Sequence, residues 1–157
     1  MVQRLPELRL ALVALAALVI VAAGIGDTAA EYSASRIHRI AVQINSDDVA
    51  PMKHAISNSV NLVRHYRSQH QPVKVEIVAY GSGIAMFRAD ISPVASVLNY
   101  IKKNFPEIAF TVCGNTKAII ERQEGHRMPL VSGTNVVPFG IVRLVTLQEK
   151  GWSYIRP

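Results

Sequence analysis

The chain has 157 residues, half of them apolar, with a formal net charge of +6 and one cysteine. That length suits one domain and not comfortably two. A single cysteine excludes an intramolecular disulfide, so stability must come from a packed core. The lysines and arginines are scattered, with no basic stripe interleaved with aromatics, which leaves nucleic-acid binding little support.

Residues 1–30 read as a targeting segment. Arg4 and Arg9 make a short positive region, and Leu10 to Ala23 is almost entirely Ala, Leu, Val and Ile. This is the pattern of a signal peptide, with Thr28-Ala29-Ala30 or Ala22-Ala23-Gly24 as the small-residue cleavage site. The charge-free run to Gly26 also reaches the lower edge of a bilayer-spanning length, so an N-terminal membrane anchor is the alternative. Either form places the domain outside the cytoplasm: periplasmic, or anchored to the inner membrane and facing the periplasm. Contact with the membrane is expected only through residues 1–30. The segment carries two acidic and two basic residues, so the +6 belongs to the rest of the chain.

A first strand is expected over Arg36 to Asn45, with Ile37, Ile40, Val42 and Ile44 as its apolar positions. Ser46-Asp47-Asp48 offers N-cap chemistry and Pro51 suits the first turn of a helix. Along that helix Met52, Ala55, Ile56, Val60, Val63 and Tyr66 recur at three- and four-residue spacing, a single core-facing stripe. Val73 to Ala79 reads as a second strand, Tyr80-Gly81-Ser82-Gly83 as a turn and Ile84 to Phe87 as a short apolar piece. Ser92-Pro93 opens another helix, with Val94, Val97, Leu98, Ile101 and Phe105 on one face.

Ala109 to Val112 is the third strand, ending on Cys113. Gly114-Asn115-Thr116 reads as a turn, Lys117 to Glu124 as a short helix, and Glu124 to Gly133 as a loop. Asn135 to Val137 makes a brief fourth strand, Pro138 to Lys150 a last helix stopped by Gly151, and Trp152 to Ile155 a fifth strand. Such alternation predicts a parallel sheet covered by helices on both faces.

Most candidate chemistry has a plainer reading. Gly81-Ser82-Gly83 follows a strand, but Met86 stands where a dinucleotide loop needs its third glycine, and no G-K-[ST] occurs. The five histidines form no metal-ligand spacing, so no metal and no cofactor are expected. Asp47, Asp48 and Asp90 read as caps and turn formers, and no G-x-S-x-G elbow exists.

Cys113 is different in its placement. A cysteine at the carboxyl end of a strand lies where open α/β sheets bind ligands, and a following helix N-terminus favours a thiolate. Composition alone leaves it open between a reactive thiol and a buried spacer. Backbone N–H groups of Gly114, Asn115 and Thr116, the Thr116 hydroxyl and the Lys117 cation could stabilise a thiolate or a persulfide anion. No base is near in sequence, which suits group carriage better than hydrolysis.

Several stretches together then carry a resemblance: Ile40 to Asn45, Val78-Ala79-Tyr80-Gly81, Arg88-Ala89-Asp90, Val112-Cys113-Gly114-Asn115-Thr116, Val137-Pro138 with Gly140, and Leu147 to Pro157. From His38 to Pro157 the chain resembles the DsrE/DsrF-like family of small sulfur-trafficking proteins, in the branch with a C-G-N-T cysteine turn. The resemblance implies a DsrE-like domain over residues 36–157. Its fold would be a three-layer α/β/α arrangement with a five-stranded, mainly parallel sheet. It also implies assembly into homo-trimers or homo-hexamers. The implied function is to carry sulfane sulfur as a persulfide on Cys113, the catalytic position. Donor and acceptor would be proteins or small thiols, and Gly114, Asn115, Thr116 and Lys117 would shape the anion pocket. Two other readings stand beside it: a non-catalytic oligomeric binding or scaffold protein of the cell envelope with a structural Cys113, and a thiol redox sensor.

Overall fold

The computed structural model describes residues 37–157; the expected leader over residues 1–30 lies outside them. Ten elements follow in order. They are β1 (His38–Ile44), α1 (Val49–Ser68), β2 (Val73–Ala79), a 3-10 helix (Gly81–Phe87), α2 (Ala95–Asn104), β3 (Ile108–Cys113), α3 (Gly114–Glu124), β4 (Thr134–Val137), α4 (Gly140–Glu149) and β5 (Ser153–Ile155). The five strands form one sheet in the order β4-β3-β2-β1-β5, and every pairing is parallel. The fold is therefore α/β, with all five strands parallel.

Handedness distributes the helices. Parallel crossovers are right-handed, and β1, β2, β3 and β4 are laid down successively in one direction across the sheet. Their connections, α1, α2 and α3, accordingly share one face. Only the step from β4 back to β5 runs the other way, which puts α4 alone on the opposite face. The two apolar clusters follow this division. The large one joins Ile40, Val42 and Ile44 of β1, Val75 and Ile77 of β2, and Phe110 and Val112 of β3 to the buried stripes of α1 and α2. The small one contains Ala41, Val78, Leu144 and Leu147, with Tyr80 and Trp152 against it. A sheet of five strands is roughly 20 Å across, about twice the diameter of a helix, so one helix leaves part of this face uncovered.

Local chemistry sets the boundaries. In α1 the expected stripe holds, with Met52, Ala55, Ile56 and Val63 buried. Its N-cap is Asp48, but the carboxylate makes no cap bond; it accepts instead from the Ser46 hydroxyl at 2.9 Å. The expected turn and short apolar piece after β2 together form one 3-10 helix, and Gly83 in it packs directly on β1. A Cβ there would lie 2.5 Å from the Ile44 carbonyl oxygen, so only glycine permits the approach. Helix α2 begins at Ala95, after Ser92-Pro93. Leu98 and Ile101 are buried in it, while Val97, expected on the same face, is exposed.

The loop between α3 and β4 is tied down by Arg88. Its guanidinium donates to both Asp90 and Glu124, and those bonds hold the two carboxyls below their ordinary pKa. Arg88 also bridges Leu130 in antiparallel fashion. Among the described residues no helix is long and apolar enough to cross a membrane.

Candidate functional site

The strand order creates one crevice at the carboxyl edge of the sheet. Neighbouring strands β3 and β4 send their following helices to opposite faces, α3 to one and α4 to the other. This is a topological switch point, the usual ligand position in open α/β sheets. Cys113, the last residue of β3, stands in it, opposite Val137 of β4 in the register.

Helix α3 starts at once after Cys113, so Gly114, Asn115 and Thr116 form its first turn and not a separate turn before a helix at Lys117. Cys113 is itself the N-cap: its Sγ accepts from the Thr116 amide at 3.5 Å. The Thr116 hydroxyl in turn accepts from the Gly81 amide at 3.3 Å, and Sγ donates to the Pro138 carbonyl at 3.9 Å. The Asn115 amide donates to that same carbonyl at 3.0 Å, which ties the two loops together.

Two glycines make this closeness possible. A Cβ on Gly114 would meet the Val137 carbonyl oxygen at 3.0 Å, and one on Gly140 would meet Tyr80 Cβ at 3.0 Å and Cys113 Cβ at 3.1 Å. The N-terminus of α4 therefore closes on the thiol from one side while α3 begins from it on the other. Burial pushes the thiol up, but bonds from the Thr116 side chain and from the amides of Gly140, Thr116 and Asn115 outweigh it. Cys113 consequently titrates below an ordinary thiol. Only 6% of the residue is exposed.

Of the expected pocket residues, Gly114 packs against the Val137 carbonyl, whereas Thr116 and Asn115 act on Sγ. Lys117 does not direct its charge there. Its ammonium is paired with Glu121 one helical turn on, and Glu121 also accepts from the Met128 amide. Cation assistance is thus replaced by aligned amides from two helix ends. Gly140 and Tyr80, which lie in stretches that carry the resemblance but were given no role at the site, complete it. The signal available for Gly140 was a glycine two residues after Pro138 at a helix start.

A second polar group on the α4 face also escaped the sequence. Glu76, buried in β2, accepts from Arg143 Nε at 2.8 Å and Nη2 at 2.7 Å and from the Thr111 hydroxyl at 2.8 Å. A lone carboxylate inside the apolar run Val73 to Ala79 was the visible clue, since such a charge needs a partner. That partner lies 67 positions away.

The two-sided cradle leads to a direct expectation. Gly140→Ala should force the start of α4 away from Cys113 and weaken its amide contact. The pH at which ultraviolet thiolate absorbance or iodoacetamide reactivity is half-maximal should then move upward. The loss of stability should be about 1 kcal/mol, the low end of overpacking. The native thiol's folded pKa lies below its unfolded one. Its ionisation therefore stabilises the fold above the unfolded value, and that increment is lost as pH falls through the folded pKa; the variant should flatten this dependence. An unchanged thiol titration in a folded Gly140→Ala protein would remove α4 from the site.

Among the described residues no three His, Cys, Asp or Glu side chains converge as a metal site would require. No family model matches the sequence, and no curated protein does. A solved structure does match: MTH1491, a protein of unknown function from Methanobacterium thermoautotrophicum, is 30% identical with a TM-score of 0.64. The match covers 76% of this chain and 99% of that one. At that identity, over nearly the whole of its relative, the chain belongs to the same family as MTH1491.

Proposed function

We propose that this protein is an exported, DsrE-like sulfur carrier that holds sulfane sulfur as a persulfide on Cys113. The observation that carries the reading is the thiol's position at the β3/β4 switch point, between two helix N-termini whose amides lower its pKa. The chemistry is a pair of displacements without net redox change. The Cys113 thiolate attacks the outer sulfur of a persulfide or polysulfide donor, a new S–S bond forms, and the donor's S–S bond breaks. The donor thiolate leaves with the electron pair. An acceptor thiolate then attacks the outer sulfur on Cys113, and Cys113 departs as thiolate. Amides of Thr116, Asn115 and Gly140 serve both anions, because each step ends with negative charge on Sγ or on the sulfur attached to it. Donor and acceptor are sulfur-relay proteins or small thiols.

Self-association into trimers or hexamers belongs to the same proposal. Support comes from the edge strand β4 and the outer side of α4, where Val136, Phe139, Ile141 and Val142 are all more than half exposed. Apolar residues grouped in this way are characteristic of interaction surfaces.

One observation favours a second reading, a scaffold protein with a structural cysteine: the low exposure of Cys113. Intact mass spectrometry separates the two. The native protein exposed to polysulfide should gain one sulfur, about 32 Da, that maps to Cys113 and is lost on reduction. A thiol that stays unmodified until the protein is unfolded supports the scaffold. A sulfenic acid or mixed disulfide, with no added sulfur, supports a redox sensor.

A further inference from the structure

The part of the sheet face that α4 leaves uncovered holds a cavity of about 710 Å³, within the roughly 300–1,000 Å³ typical of small-molecule sites. It lies over Val73 to Glu76 of β2 and over Ala109 and Thr111 of β3, and extends to Asn135 and Val137 of β4; Val137 borders the thiol turn, being the register partner of Cys113. Trp152, Pro106 and Ala109 supply apolar wall, and Lys74, Glu76 and Arg143 supply charge.

The charges are unevenly satisfied. Glu76 is engaged at both oxygens, by Thr111 and by Nε and Nη2 of Arg143. The other carboxylate of the lining, Glu107, is held in bidentate fashion by Arg67. Arg143 Nη1, by contrast, has no protein partner among the described residues, and neither does the ammonium of Lys74. Each lining carboxylate already has its own arginine, so the uncommitted charge of the cavity is cationic. A guanidinium held rigid on one side by a buried carboxylate presents its remaining edge in a fixed orientation, which favours anion binding.

We propose that this cavity binds a small organic anion. Its apolar body lies against Trp152, Pro106 and Ala109, and its carboxylate lies between the Lys74 ammonium and the free edge of Arg143. The volume suits a small molecule, and the pairing of charges selects an anion over a cation or a neutral compound. This site uses no residue of the Cys113 turn and stands independently of the sulfur-carrier reading.

Trp152 is the only tryptophan of the chain, so intrinsic fluorescence reports from the cavity wall. The full chain would be titrated with phenylbutyrate and, in parallel, with its neutral counterpart phenylbutanol. Phenylbutyrate should give a saturable change in Trp152 emission, with phenylbutanol about fivefold weaker. Lys74 is exposed, so Lys74→Glu should fold normally and weaken phenylbutyrate by about fivefold or more. Lys74→Gln provides the same comparison at smaller amplitude. The proposal is overturned if no saturable change occurs, if phenylbutanol binds as well, or if the Lys74 variants bind phenylbutyrate unchanged. It is also overturned if emission depends on protein concentration and not on phenylbutyrate, which would mean that a second copy of the chain fills the cavity.

Discussion

Cys113→Ser should lower sulfur transfer by on the order of a thousandfold or more, the scale of removing a covalent nucleophile, while leaving the fold in place. The structural half of this expectation follows from the site. Serine is a preferred N-cap residue, better suited than cysteine to accept from the Thr116 amide, and its hydroxyl can donate to the Pro138 carbonyl as the thiol does. The stability change should therefore stay within about 1 kcal/mol. Cys113→Ala loses the cap as well and should cost about 1 kcal/mol more than serine. Transfer is measured from labelled polysulfide to an acceptor thiol, with urea unfolding as the control. If a folded Cys113→Ser protein transfers sulfur at the native rate, the persulfide reading fails; the anion cavity under Trp152 is untouched by that result.

Arg143→Ala should be among the most destabilising single changes on the α4 face, by about 3 kcal/mol. The carboxylate of Glu76 has 6% of its side chain exposed, against 34% for Arg143. Removing the arginine leaves a buried charge with only the Thr111 hydroxyl. Breaking a buried pair in this way costs roughly 3–5 kcal/mol, and the partial exposure of Arg143 argues for the lower figure. The companion variant decides the mechanism. Glu76→Gln combined with Arg143→Ala replaces the stranded charge with a neutral group that still accepts from Thr111, so it should recover more than half of the loss. Urea denaturation of the two variants and of Glu76→Gln alone completes the cycle. A loss below about 1 kcal/mol for Arg143→Ala would mean that water reaches Glu76 freely once the arginine is gone.

The anion cavity sharpens the interest of that pair. Arg143 both neutralises Glu76 and offers Nη1 to the uncovered sheet face, so its removal would confound stability with binding. Lys74 carries no such double duty, so its variants separate binding from stability.

The sequence by itself determined the strands and the α-helices, though not the 3-10 helix Gly81–Phe87. The apolar positions Ile40, Val42 and Ile44, and the three- and four-residue spacing from Met52 to Val63, depend only on local geometry, and in the structure these residues share one buried cluster. Five strands interleaved with helices were legible for the same reason, as was Cys113 at a strand end followed by helix-start amides. The boundaries that shifted, such as α3 beginning at Gly114 and not at Lys117, did so because Gly-Asn-Thr serves a turn and a helical first turn equally well. Sequence could not decide between them without the thiol that caps the helix.

Tertiary structure alone decided what surrounds that thiol. The order β4-β3-β2-β1-β5 places β3 beside β4 and sends their helices to opposite faces, which brings the Gly140 amide against Cys113. No local pattern encodes that neighbour. The pairing of Lys117 with Glu121, by contrast, is a local i,i+4 contact that needs only the helix itself. Finally, the single return crossover leaves one helix to cover a five-stranded face. The uncovered remainder, with Glu76 and Arg143 brought together across 67 positions of chain, exists only because strand order and crossover hand are properties of the whole sheet.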